Sequence, residues 1–197
     1  MNYKFIEPNK PIKSGVGTFD IIDDSYIVES KLDGWRISAY KDQNILKTVS
    51  KKNKTIELNP DLKNVLFKAI PEGCCIDCEW VNISRIKAIN KELNCKLALV
   101  NFLSIIDIIY HDHVYLSNID YADRRLKKLD LAIDTLQISD LLDLSKLDNG
   151  IFYPPNCLGC NSQEFFSSQN NLNISEGVVI KKLSGNIKST WIKVKYR

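Results

Sequence analysis

The chain has 197 residues, 44% hydrophobic and 26% charged, with 27 Lys and Arg against 24 Asp and Glu and a formal net charge of +3. These proportions exclude a disordered chain, and the length suits one domain that buries roughly 70% of its extended surface. The mild basicity permits a nucleic-acid partner without demanding one.

The first twenty residues, with Pro8, Pro11, Gly15 and Gly17, read as irregular. Tyr26 to Ser30 is β-branched and predicts a strand, and Trp35 to Tyr40 alternates as a second. Lys41 to Asn44 is a turn signal, with Ile45 to Ser50 as the returning strand. Asp61 to Ile70 has helical spacing at Leu62, Val65, Leu66 and Ala69, ended by Pro71 and Gly73. Cys74 to Ile83 reads as a strand, Ser84 to Leu93 as polar loop or short helix, and Lys96 to Tyr110 as one long buried strand or two joined ones. Tyr121 to Leu131 predicts a helix with Leu126 and Leu129 on one face and Arg124, Arg125, Lys127 and Lys128 on the other, the basic face read as solvated or, alternatively, as touching nucleic-acid phosphates. Ile133 to Leu136 is a short strand candidate, and Leu144 to Asn173 reads mostly as loop. Ile174 to Leu183 and Trp191 to Tyr196 are the last strands, joined by a turn at Ser184 to Thr190. Many strands with few helices imply antiparallel pairing and an α+β class.

Four fragments carry chemistry. Glu29-Ser-Lys31-Leu-Asp33-Gly34-Trp35-Arg36 sets a lysine between carboxylates, beside a glycine that allows close backbone approach and an arginine suited to phosphate or ribose. A lysine attacks only after losing its proton, which neighbouring cations or a metal ion favour. In Asp77-Cys78-Glu79, alternation puts both acids on one face, fit for a hydroxyl or a divalent cation. Glu176-Gly-Val-Val-Ile-Lys181 brackets an apolar strand with an acid and a lysine. Trp191-Ile-Lys193-Val-Lys195 points two lysines the same way, and a phosphate between them would relieve their repulsion. Each fragment alone also fits an ordinary solvated strand or turn.

Together and in this order, K-x-D-G-x-R, D-x-E, E-G-V-V-I-K and W-I-K-V-K resemble the covalent nucleotidyltransferase superfamily of ATP-dependent DNA ligases, RNA ligases and mRNA-capping guanylyltransferases. The resemblance covers Tyr26 to Lys195 and is nearest to the DNA ligases. Asp107-Ile-Ile-Tyr110 and Tyr121-Ala-Asp-Arg124-Arg125 also resemble DNA ligase segments. It implies one ATP-grasp-like adenylation domain over residues 1–197, with two antiparallel β-sheets flanked by helices and the nucleotide between them. It implies that Lys31 attacks the α-phosphorus of ATP to give lysyl-AMP, and that Asp33 acts later near the 3′-hydroxyl during sealing. Glu29 would meet the adenine edge, Arg36 and Glu79 the ribose, and Lys181, Lys193 and Lys195 the phosphates. Glu176, with Glu79, would bind Mg²⁺ or Mn²⁺. Nicked double-stranded DNA, alternatively RNA, is the implied substrate, in repair, replication or recombination.

Three departures from the family pattern stand out. Its serine-arginine pair after the first hairpin is Ser50-Lys51 here, a nucleic-acid contact that keeps the charge and loses the bidentate fork. The adenine-stacking aromatic is Ile106, with Phe102 as a poorly placed substitute. An OB-fold domain is expected to be absent, so that the chain is a minimal ligase, a truncated catalytic domain, or dependent on a partner protein for the DNA clamp. A non-catalytic nucleic-acid-binding relative is a further reading, opposed by Lys31, Glu79 and Glu176, since binding alone needs no nucleophile.

No apolar run reaches the roughly 18 residues of a membrane span, and the N-terminus lacks the apolar stretch of a signal peptide. An intracellular chain, in the cytoplasm or nucleus, is therefore expected, and its six cysteines are expected as thiols. A monomer is expected, and a minimal ligase of this sort would suit a virus or phage as well as a cell. Cys75 and Cys78 read as core, while Cys157 and Cys160 in a loop offer at most a zinc half-site. His111 and His113 read as turn residues, with metal binding as the alternative.

Overall fold

The computed structural model describes residues 12–82, 100–132, 134–137, 147–169 and 174–196. One sheet has 5 strands in the order β1 (Ile12–Ser14), β12 (Ile192–Lys195), β11 (Ser175–Lys182), β2 (Tyr26–Leu32), β10 (Asn156–Leu158). The other has 7 strands. Its order is β4 (Ile45–Ser50), β3 (Trp35–Asp42), β5 (Cys75–Asn82), β6 (Asn101–His111), β9 (Asp148–Tyr153), β8 (Asp134–Thr135), with β7 (Val114–Tyr115) also on β6. The helices are α1 (Pro60–Ala69), α2 (Tyr121–Leu131) and α3 (Ser162–Ser168).

The hairpin between β3 and β4 turns at Gln43 and Asn44, both at positive φ (53° and 57°), the backbone that a two-residue turn needs to match strand twist. Asn59 caps α1 by accepting the Leu62 N–H at 2.8 Å, and Pro60 occupies the first turn, where its missing N–H costs nothing. Leu62 and Leu66, four apart, enter the main core between α1 and the larger sheet with Ile37, Ile76, Cys78 and Ile105. A second core backs the smaller sheet, where Val28, Val178 and Val194 meet Phe19 and Phe165. The inner faces of the two sheets are left to line a cleft.

The α+β class holds, and both sheets are mostly antiparallel, but β1–β12, β6–β9 and β8–β9 pair parallel. The stretch read as loop from Leu144 to Asn173 holds β9, β10 and α3 among its described residues. These pieces are short and polar, and pairing with distant strands rather than local pattern forms them. The irregular start likewise holds β1 and a 3-10 turn at Val16–Ile21. The segment Ser84 to Leu93 and the start of the Lys96 stretch lie outside the described residues.

The basic face of α2 is not the solvated face expected. Arg124 and Lys128 are buried beside Tyr121, while Leu126 is 59% exposed and Leu129 half-buried. The physical reason is pairing, since each buried cation meets a buried acid on another element. Cys75 and Cys78 are core residues as expected, and burial pushes both thiols up.

Two bulges shape the cleft. On β11, Ser175 pairs with Leu32 and Gly177 with Lys31, so Glu176 is the extra residue. Gly177 sits at φ +137°, and a Cβ there would come within 2.0 Å of the Val194 carbonyl oxygen. On β6, Asp107 pairs with Asp77 and Ile105 with Cys78, which leaves Ile106 extra and its carbonyl free of the ladder. Gly177→Ala should therefore lower stability by at least about 1–3 kcal/mol, whereas Gly15→Ala, with open space at its Cβ, should change it little. Urea unfolding of both variants checks this.

Candidate active site

The cleft between the sheets has a volume of about 410 Å³, within the usual range for small-molecule sites. From the smaller sheet, Glu29, Lys31, Lys181 and Lys193 line it; from the larger sheet and its turns come Arg36, Lys51, Glu79 and Ile106. Asp33, Ser50, Glu176 and Lys195 do not line it, and the last two reach it only through their ion pairs with Lys31 and with each other. Asp33 is buried, with its N–H on the Ile174 carbonyl, and the Ser50 hydroxyl accepts the Lys54 N–H at 3.2 Å.

Strand register aligns the smaller sheet's side of the site. Lys31, Gly177 and Lys195 stand side by side on β2, β11 and β12, and Glu29, Val179 and Lys193 form the neighbouring row on the same face. The bulge brings Glu176 to this face. Its Oε2 lies 2.8 Å from Lys31 Nζ and 2.5 Å from Lys195 Nζ. Burial works to raise the Glu176 pKa, but the two ammonium groups outweigh it and hold it down to about 2.

Across the cleft, Glu79 Oε1 accepts the Gly34 N–H at 3.0 Å. Any side chain at Gly34 would meet the Trp80 carbonyl oxygen at 2.5 Å, so only glycine lets the Lys31 turn close on β5. Burial raises the Glu79 carboxyl to about 7, against the downward pull of Lys31, the Gly34 N–H and Arg36. Asp77 shares the face of Glu79 but takes a different role. Arg36 grips it with Nε to Oδ1 at 3.1 Å and Nη2 to Oδ2 at 2.7 Å. Burial raises the Asp77 pKa despite this pair.

The closed end of the cleft is built around Glu29. Lys181 Nζ lies 2.6 Å from its Oε2, Lys128 Nζ lies 3.2 Å from its Oε1, and the Tyr121 and Tyr153 hydroxyls both donate to Oε1. Burial raises the Glu29 pKa, and the charges of Lys128 and Lys181 overcome it, bringing it to about 2. Burial also lowers Lys128 to about 7, opposed by Glu29 and assisted by Lys181. The bulged Ile106 carbonyl accepts from Lys128 and Lys181 at 2.9 and 2.8 Å. Lys181, one row further along beside Ile27, is thus bound to Glu29, and its ammonium lies 4.2 Å from the Trp191 ring centre.

Solved structures share this architecture. The ligase domain of M. tuberculosis LigD superposes with a TM-score of 0.59 at 16% identity, covering 98% of this chain and 61% of that one. Chlorella virus DNA ligase-adenylate gives 0.57 at 17% identity, covering 97% of this chain and 69% of that one. A Naegleria gruberi RNA ligase with ATP and Mn gives 0.53 at 13% identity, covering 98% and 57%. The chain has the ligase nucleotidyltransferase fold. It spans less than two thirds of the length of the LigD ligase domain it matches. No protein-family model and no curated protein sequence matches it.

Within the nucleotidyltransferase fold, sequence reasoning missed Tyr121, Lys128 and Tyr153 around Glu29, and Trp191 on the cleft wall. The spacing of Tyr121, Arg124 and Lys128 along one helix face was the available signal. Phe102 is buried in the apolar cluster with Leu32 and Val81 and does not line the cleft, so it does not replace the missing aromatic. Cys157 is half-buried and Cys160 exposed, and neither belongs to a group of three or more ligating side chains among the described residues. His113 lies in the turn after β6, where its ligating atom comes within 4.8 Å of those of Asp42 and Glu72. Glu72 already accepts the Asn44 N–H at 3.2 Å there.

Two outcomes follow from the buried charges. Arg124 donates from Nε and Nη2 to Asp107, both at 3.0 Å, with both side chains wholly buried. Arg124→Ala should cost about 3–5 kcal/mol by leaving Asp107 unpaired, read as a drop in the urea midpoint. Glu79 ionises near its ordinary 4.5 when unfolded and near 7 when folded. Its neutral form therefore stabilises the fold fully below pH 4.5, and that contribution is lost as pH rises through 7. Glu79→Gln stays neutral, so its stability relative to the unmodified chain should rise over that window, as parallel unfolding curves at several pH values would report.

Proposed function

We propose that the cleft binds ATP and that the chain is the adenylation unit of an ATP-dependent DNA ligase. The observation that carries this reading is the alignment of Lys31 with Glu176, Lys195 and Lys193 on one wall, opposite Glu79 on the other. A nucleophilic lysine, cations in line with it and carboxylates beside it are the parts that phosphoryl transfer to an amine requires. A site built only to hold a polyanion needs no acid on its lysines.

In this reading Lys31 Nζ forms a bond to the α-phosphorus of ATP and pyrophosphate leaves. The AMP then passes to the 5′-phosphate of a nick, and the 3′-hydroxyl displaces it, with Asp33 acting at that last step. Lys193 and Lys195 neutralise the phosphates, and Glu79, with Arg36 anchored on Asp77, faces the ribose. Glu29, Lys181 and Ile106 form the base-binding end, where aliphatic packing replaces aromatic stacking. Ser50 and Lys51 meet the nucleic acid. Glu176 and Glu79 are the carboxylates that would hold Mg²⁺ or Mn²⁺, hard cations that prefer oxygen ligands. When bound, the metal would offset charge on the phosphate oxygens.

RNA is the second substrate reading, favoured by the likeness to an RNA ligase. Among the described residues no helix is long and apolar enough to cross a membrane.

Deadenylated protein incubated with Mg²⁺ and ATP should gain one AMP by intact mass, and Lys31→Ala should gain none. Lys193→Ala should form the adduct roughly 100-fold more slowly. No adduct from ATP or GTP would overturn the reading, and a GTP-only adduct would redirect it to capping. Sealing of nicked DNA against nicked RNA then decides the polynucleotide.

A further inference from the structure

The edge strand β4 and the turn after it carry four lysines, Lys47, Lys51, Lys52 and Lys54, with no acid between Ile45 and Ile56. All four are exposed. Pairing of Tyr40 with Lys47 and of Ser38 with Val49 puts Lys47 on the face of the larger sheet that holds Arg36, the cleft side. Lys51 itself lines the cleft.

The turn is held in one shape. The Ser50 N–H donates to the Lys54 carbonyl and the Asn53 N–H to the Ser50 carbonyl, both at 2.8 Å, with Asn53 at φ 57°. A bridge between Val49 and Thr55 closes its base. Among the described residues Lys47, Lys52 and Lys54 make no ion pair. Lysines on an edge strand also discourage sheet-to-sheet pairing. That accounts for Lys47 but not for Lys52 and Lys54, which lie beyond the strand end where no ladder is open.

We propose that Lys47, Lys52 and Lys54 form a ridge along the outer edge of the larger sheet, next to Lys51, with Lys47 on its cleft face and Lys54 beside Ser50 on the other, and that this ridge holds the sugar-phosphate backbone of the duplex flanking the nick. The proposal rests on the polynucleotide ligase reading for its ligand. Positive charge concentrated on one sheet edge with no acid among it attracts a row of phosphates, and binding releases their counterions. The three ridge lysines lie outside the nucleotide cleft, so their loss leaves AMP uptake unchanged.

The test combines Lys47→Gln, Lys52→Gln and Lys54→Gln in one protein and reads two quantities. One is AMP uptake by intact mass. The other is affinity for a nicked duplex with a 5′-phosphate, followed by fluorescence anisotropy from about 50 to about 200 mM salt. The expected result is AMP uptake at the unmodified rate, at least about tenfold weaker duplex binding at low salt, and a log–log salt slope shallower by about 2 to 3 units. Unchanged affinity and slope would overturn the ridge. So would AMP uptake by an unmodified protein that does not bind the duplex, an outcome that leaves the adenylation reading standing. Duplex binding that depends on the three lysines, in a protein that takes up no AMP, would keep the ridge and remove the ligase reading.

Discussion

Glu29 is the point on which the two sheets close. Its carboxylate is buried on β2 of the smaller sheet, and its partners come from β11, from α2 and from β9 of the larger sheet. An isolated carboxylate in that position would be driven to take up a proton. Two ammonium groups and two hydroxyls keep it charged, and the Ile106 carbonyl takes further donors from the same lysines. The result is a knot of hydrogen bonds at one end of the cleft, which sets the spacing of the walls for everything nearer the mouth.

From that end outward, the smaller sheet works as a ruler. Glu29 and Lys31 are two residues apart on β2, as are Val179 and Gly177 on β11 and Lys193 and Lys195 on β12, and pairing locks the rows together. Only Glu176 breaks the alternation, and the bulge at Gly177 is what puts its carboxylate against Lys31 and Lys195. The larger sheet answers with Glu79 and with Arg36, whose guanidinium is committed to Asp77. Burial opposes ionisation on both walls. Glu176 stays charged because two cations touch it, while at Glu79 burial outweighs Lys31, the Gly34 N–H and Arg36, and the proton is held to about 7.

Much of this could be read from residues alone, where local pattern decides the outcome. Period-2 alternation gave Asp77 and Glu79 a common face and set Lys193 and Lys195 on one side of β12. The limits of β4 and α2 follow from turn residues and helical spacing. What failed were features decided by distant partners. On α2 the leucines drew the expectation of an inward face, yet Arg124 and Lys128 point inward because Asp107 and Glu29 wait there. Neither acid is near them in sequence. That Arg36 is anchored on Asp77 while it lines the cleft was likewise not legible, because nothing local reveals that Asp77 lies across the strand pair. The strands β9 and β10 carry little pattern of their own and exist through their neighbours.

The bulge on β6 has a consequence for which substitutions this site tolerates. What position 106 gives to the buried lysines is a peptide oxygen, the same in every amino acid. Its side chain lines the cleft. Exchange of Ile106 for another residue compatible with the bulge would alter the lining of the cleft and leave the lysine anchor intact. The shape of the cleft and the integrity of the buried cluster are thus separable at a single residue, one borne by the side chain and the other by the main chain.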